Sequence, residues 1–254
     1  MILLLGGTKD ARLLVSALSA AFPGENLTAT AVSEYGADLL RAQEGAQVLQ
    51  GKMDAAALTR FIREKEVRVL LDATHPFAEG ASREAEQAAG LTGIPYLRYE
   101  RPPLDKVTRE GVHLVADFLE AARVAAQFAG TIFLTIGTRH LGEFLAALPQ
   151  GRKVVARVLP EAESISKCRE VGLTPAEIVA IQGPLSCELN ASLFAAYEAG
   201  VVVSKESGDL GGTPEKVQAA RKLGIPIVLV SRPVKRPGLN TPLQVVAELQ
   251  KIIT

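Results

Sequence analysis

The chain has no tryptophan, and Phe and Tyr bring its aromatic content only to 5%. An extended base-stacking platform for single-stranded nucleic acid needs more rings than that. Neither sign of charge is in surplus: 28 Lys and Arg balance 28 Asp and Glu over 254 residues. A general nucleic-acid binder needs a basic excess against phosphates, so that class is excluded, although a local basic pocket is not. Histidine is scarce (His75, His113, His140), and so is cysteine (Cys168, Cys187). There is no CxxC and no HExxH, so no metal site is expected. Two buried free thiols fit a cytoplasmic protein. The apolar start Met1-Ile2-Leu3-Leu4-Leu5-Gly6 gives way at once to Lys9 and Asp10, too short for a signal peptide. No apolar run is long enough to span a bilayer, and no membrane partner is expected.

Apolar residues make up 48% and charged residues 22%, the mix of a globular protein. At about 100–200 residues per domain the length predicts one large or two small domains. Short apolar runs at 2–5, 27–32, 47–49, 67–71 and 95–99 alternate with amphipathic stretches at 9–21, 37–42, 54–64 and 78–91. Strands that are apolar throughout are covered on both faces, as in a doubly wound parallel sheet. Arg101-Pro102-Pro103-Leu104-Asp105 interrupts the rhythm and reads as a linker. Strands then recur at 113–115, 131–136, 153–158, 178–181, 201–204 and 225–230, with helices between them and a last helix over 242–252. The expectation is α/β: two Rossmann-like lobes, residues 1–103 and 104–254, with mainly parallel sheets and a cleft between them.

Ligands of such sheets bind outside the carboxyl ends of the strands. Those positions hold Gly6-Gly7-Thr8, Ser33-Glu34, Asp72-Ala73-Thr74-His75-Pro76, Arg98 with Arg101, Gly137-Thr138-Arg139, Arg157, Gly183-Pro184, Lys205-Glu206-Ser207-Gly208, Gly211-Gly212-Thr213 and Ser231-Arg232-Pro233. Gly6-Gly7-Thr8 reads either as a phosphate cradle at a helix start or as a tight turn. Arg157 ends the strand after the Gly137-Thr138 turn, where an arginine suits the 2′-phosphate of NADP. That makes the second half the better NADPH lobe. The Gly-rich loop running on to Thr213-Pro214 reads as an anion-binding loop before a capped helix. Pro76 fits the first turn of a helix, which turns Thr74 and His75 toward the crevice, while Asp72 reads as buried. Arg98, Arg101, Arg139 and Arg232 suit a substrate with several carboxylates. No GxSxG surrounds Ser186 or Ser207, which disfavours a serine hydrolase.

Taken together, these motifs resemble the precorrin-6A reductase family of cobalamin biosynthesis. The matching pieces are 2–8 with Arg12, 72–78, 94–102, 133–138, 156–160, Gly183-Pro184, and 203–215 with Lys216 and Ala219-Ala220. The family often has Glu-Gly where this chain has Asp10-Ala11. The resemblance implies an NADPH-dependent oxidoreductase that adds a hydride and a proton across a double bond of precorrin-6A or cobalt-precorrin-6A. It also implies two Rossmann-like halves, and a large substrate fringed by acetate and propionate groups. His75 and Lys205 are the candidates for the proton; Lys205 could instead neutralise a carboxylate or a phosphate. NADPH is assigned to Gly137, Thr138, Arg157, Ser207, Gly208, Gly211 and Gly212. The corrin precursor is assigned to Gly7, Thr8, Ser33, Thr74, His75, Arg98 and Arg101, and the reverse assignment stays open. The protein is expected as a monomer or small homo-oligomer. The alternatives are another NADP enzyme, although no Tyr-x-x-x-Lys pair is present, and a non-catalytic nucleotide- or tetrapyrrole-binding module.

Overall fold

The computed structural model describes residues 1–101, 110–232 and 238–253. Its chain divides into two compact units, Met1–Pro102 with Val234–Thr254, and Pro103–Pro233. The second lobe therefore does not run to residue 254 as the sequence suggests. The C-terminal helix α10 (Pro242–Ile253) packs on α1 (Lys9–Ala21) and belongs to the first unit. Of the expected linker, Arg101 is buried in the first unit; residues 102–105 lie outside the described residues, as does Pro233.

The first unit holds β1 (Ile2–Leu5), β2 (Leu27–Ala31), β3 (Gln47–Gln50), β4 (Val69–Asp72) and β5 (Tyr96–Arg98), all parallel, in the order β3-β2-β1-β4-β5. Alternation along β1 sorts its side chains to two faces. Ile2 and Leu4 join Leu14, Val15 and Leu18 of α1, Leu40 of α2 (Glu34–Arg41), and Val245 and Leu249 of α10. Leu3 and Leu5 join Leu58 and Ile62 of α3 (Ala55–Glu64) and Ala85, Ala88 and Ala89 of α4 (Glu79–Thr92). The uniformly apolar strands are thus the middle of three layers. Local chemistry sets the helix starts: Thr8, Ser33 and Asp54 accept hydrogen bonds from the backbone N–H groups of Ala11, Gly36 and Ala57. The Ser33 cap starts α2 at Glu34, ahead of the expected residue 37.

The second unit carries β6 (Val112–Val115), β7 (Thr131–Leu134), β8 (Val154–Val158), β9 (Ile178–Ala180), β10 (Ala199–Lys205) and β11 (Ile227–Val230), parallel and ordered β6-β11-β10-β7-β8-β9. Phe133, Val202, Ile227 and Leu229 pack against Phe194 of α8 (Cys187–Ala196) and Val217 and Ala220 of α9 (Thr213–Lys222). Helix α5 (Phe118–Ala125) packs on β10, β11 and α6 (Leu141–Ala146), and α7 (Ala162–Glu170) on β8 and β9. Strand order reverses between β1 and β4 in one sheet and between β7 and β10 in the other. Such switch points open a crevice at the carboxyl ends of the strands. No described helix is long and apolar enough to cross a membrane.

Candidate active site

At the first switch point Gly6 lets β1 turn closely into α1: a Cβ there would lie 2.8 Å from that of Ala11. The Thr8 hydroxyl caps α1 and donates to the Ala73 carbonyl at 3.2 Å, tying β1 to the end of β4. Asp72 is fully buried. It pairs with Arg98 at 2.7 Å and accepts hydrogen bonds from Ser82 (2.6 Å), Tyr96 (2.7 Å) and the Thr74 N–H (2.9 Å). Burial opposes its charge, but Arg98 and these donors outweigh burial and hold its pKa below the ordinary value; the same burial and the Asp72 charge push the Tyr96 phenol up. Arg98 also donates to the Thr74 hydroxyl and carbonyl at 3.1 Å each. Arg101, likewise buried, pairs with Asp10 of α1 at 2.8 Å.

Most of the side chains expected to meet the substrate in this unit therefore hold the fold. Arg98 and Arg101 face internal carboxylates, Thr8 and Ser33 cap helices, and the Thr74 hydroxyl takes an Arg98 N–H. Gly7 and His75 remain at the strand ends, Gly7 exposed and His75 half-buried. His75 Nδ1 accepts from the Phe77 N–H at 3.2 Å, which puts the proton of the neutral ring on Nε2. Two cations of this unit are open instead: Lys9 and Arg12, in the first turn of α1, have no carboxylate partner among the described residues. Arg12 was visible in the sequence as a cation one turn beyond Gly6-Gly7-Thr8.

The second switch point repeats the tie, with the Thr135 hydroxyl donating to the Val203 carbonyl at 3.2 Å. Gly137 turns the chain at φ 72° with open space where a side chain would stand, and Thr138 leads on toward α6. Lys205, the last residue of β10, stands 5.7 Å over the Phe118 ring, and His140 stacks on that ring at 4.1 Å. Burial first, and Arg139 second, bring the Lys205 pKa down to about 8. Arg157 of β8 donates to the Asn190 side-chain oxygen at 2.8 Å; burial lowers its pKa to about 10. Asn190 is itself fixed by bonds to the Leu185 and Ser186 carbonyls.

The Gly-rich loop is knotted to itself and does not present its N–H groups as a cradle. The Ser207 N–H goes to the Thr213 hydroxyl, that of Gly208 to Glu206, that of Gly211 to the Gly208 carbonyl and that of Gly212 to the Asp209 carbonyl. The Ser207 hydroxyl bonds inside the loop as well. Thr213 turns its hydroxyl to this loop, and Gly212, left-handed at φ 70°, starts α9. Glu206 is further paired to Arg232 at 2.7 Å. What this edge offers an anion is cationic side chains: Arg157, Lys205 and Lys216, the last in the first turn of α9 and 4% exposed. Lys216 matches the family pattern in the sequence but is given no site role there, because its place after Pro214 shows a helix lysine and not its burial.

The family model described as Precorrin-6x reductase CbiJ/CobK matches residues 1–253. The chain belongs to the precorrin-6x reductase family. A cobalt-precorrin-6A reductase of Methanothermobacter thermautotrophicus is 41% identical, the alignment covering 91% of this chain and 76% of that one. One of Priestia megaterium is also 41% identical, over 92% and 91%. A precorrin-6A reductase of Rhodococcus erythropolis is 32% identical over 94% and 92%. Among solved structures, a CobK precorrin-6A reductase superposes with a TM-score of 0.78 at 26% identity, covering 99% of this chain and 96% of that one. This reductase is an oxidoreductase of cobalamin biosynthesis, and its reaction calls for a reduced nicotinamide as hydride source. The cations gathered in the second unit suit the phosphates of such a cofactor.

Proposed function

We propose that this reductase uses NADPH, held by the second unit, to reduce a macrocycle double bond of cobalt-precorrin-6A. The observation that carries the cofactor reading is Arg157. It is half-buried near the end of β8 and held by a neutral amide with no carboxylate partner among the described residues. That guanidinium is free to take the 2′-phosphate that distinguishes NADPH from NADH. Gly137 and Thr138 give the backbone of the dinucleotide site, and the knotted loop of Ser207, Gly208, Gly211 and Gly212 forms its wall. When bound, the nicotinamide supplies the hydride. Lys205 and His75 are the proton donors we propose: burial keeps Lys205 poised to give up its proton near pH 8, and His75 carries its proton on Nε2. The first unit takes the corrin precursor, with Gly7 backbone and the Lys9 and Arg12 cations toward its carboxylates. The cobalt form is favoured because the relatives at 41% identity carry that name.

Titration calorimetry with NADPH and NADH, joined to steady-state kinetics, tests this. Arg157→Ala should weaken NADPH binding about ten- to hundredfold and leave NADH nearly unchanged. NADPH binding that survives the change would move the cofactor to the Gly6-Gly7-Thr8 turn with Lys9 and Arg12. His75→Ala should lower kcat on cobalt-precorrin-6A by about a hundredfold or more with unaltered NADPH affinity. Full turnover would make His75 a turn residue only, and preference for metal-free precorrin-6A would overturn the cobalt assignment.

A further inference from the structure

Lys216 is buried, yet no carboxylate among the described residues comes within ion-pair distance of it. The charged groups that act on it are Arg157 from β8, Lys205 from β10, Glu206 from the loop and Glu215 from its own turn. Glu206 is already committed to Arg232 and to the Gly208 N–H. Arg157, its strongest neighbour by charge, rests on a neutral amide. A buried lysine beside a half-buried guanidinium is repelled by it and has lost hydration, an arrangement that costs stability unless an anion completes it. The backbone is shaped to bring them together. Gly212 fits directly against Pro184, where a Cβ would fall 2.8 Å from the proline Cβ. A Cβ on Gly183 would lie 3.7 Å from Arg157 Nη2. The 183–184 turn is thereby held against the start of α9, beside both cations.

We propose that Lys216 and Arg157 form one anion site, which binds the phosphate monoester of the cofactor's ribose and takes up a proton at Lys216 when it does so. The choice of cofactor phosphate over a substrate carboxylate rests on the NADPH reading above; the anion site itself rests on the two cations. Burial and the Arg157 charge bring Lys216 to about 7 when no anion is present. A phosphate beside it restores the charged form, so binding draws in a proton and weakens as pH rises.

The probes are 2′,5′-ADP, which carries the extra phosphate, and 5′-AMP, which does not. Calorimetry in two buffers of different ionisation enthalpy measures affinity and proton uptake at pH 7 and pH 9. Wild type should bind 2′,5′-ADP at least about tenfold more tightly at pH 7 than at pH 9 and take up protons. Lys216→Met should lose about tenfold or more of the pH 7 affinity and most of the proton uptake. Lys216→Arg should restore affinity without restoring the uptake, and 5′-AMP should not distinguish the three proteins. Thermal unfolding of each variant checks that it is folded. Unchanged 2′,5′-ADP affinity and uptake in Lys216→Met, with affinity lost in Arg157→Ala, would remove Lys216 and leave the NADPH reading standing. If NADPH binding ignores both substitutions while corrin-precursor binding collapses in both, the anion is a substrate carboxylate and the cofactor assignment falls. No binding of 2′,5′-ADP or NADPH to wild type would overturn both.

Discussion

Asp72 shows how little of a buried charge's role a single residue type reveals. Its carboxylate meets one guanidinium and three hydrogen-bond donors. Replacing it with asparagine would leave Arg98 charged and buried beside a neutral amide, with Glu100 at 3.6 Å as its remaining carboxylate. Asp72→Asn should therefore cost about 3–5 kcal/mol, read from urea unfolding of the full chain. A loss under 1 kcal/mol would mean that Glu100 is a sufficient partner for Arg98. Because the folded Asp72 pKa is depressed, its contribution is present above the ordinary carboxylate value of 3.8 and is lost as pH falls through the lower folded value. The sequence marks Asp72 as buried, since it ends an apolar strand. It does not reveal that Arg98 and Arg101 point inward, because their partners Asp72 and Asp10 are remote in the chain and only β4–β5 pairing and the α1 start bring them near. Lys216 is the opposite case, a helix lysine whose burial depends on α9 packing against the sheet.

The elements themselves were legible. Apolar runs of strand length and the caps at Thr8, Ser33 and Asp54 carry their own local physics, so boundaries differ by only a few residues. Which helix covers which strand was not legible where the chain comes back on itself. Helix α10 follows the second sheet in sequence but fills the α1 face of the first, with Val245 and Leu249 fully buried among Leu14, Leu18 and Ile2. An amphipathic pattern says that a face is buried and is silent on what buries it. Leu249→Ala should cost about 2–5 kcal/mol by opening a cavity in the first unit. Hydrogen exchange should show faster opening in α1 and β1 while β7 and β10 keep their protection. Equal loosening of both units would contradict the assignment of α10. The Gly-rich loop teaches the same lesson at shorter range: glycine spacing suggests N–H groups aimed at an anion, whereas Thr213, Glu206 and the Gly208 and Asp209 carbonyls turn four of them inward.

For the molecule as a whole, Lys205 and Lys216 carry folded pKa values of about 8 and about 7, against an ordinary 10.5. Above those values the unfolded chain holds more protons than the native one, so the free protein should gain stability as pH rises from 7 to 9. Denaturation midpoints of the ligand-free protein should climb over that interval, and Lys216→Met should flatten the climb. A midpoint that falls in wild type would mean that both lysines stay charged. Stability and anion affinity therefore run in opposite directions with pH, as expected when a binding edge holds charges at the expense of the fold. The return of residues 238–253 to the first unit also bears on the order in which the protein is made. Translation releases every strand of the second unit before it releases α10, so the later-coded unit can close first. A nascent chain halted once residue 233 is clear of the ribosome would carry a complete second sheet beside a first one whose Ile2, Leu4 and Leu18 face still lacks its cover, a state in which a chaperone would find its binding surface.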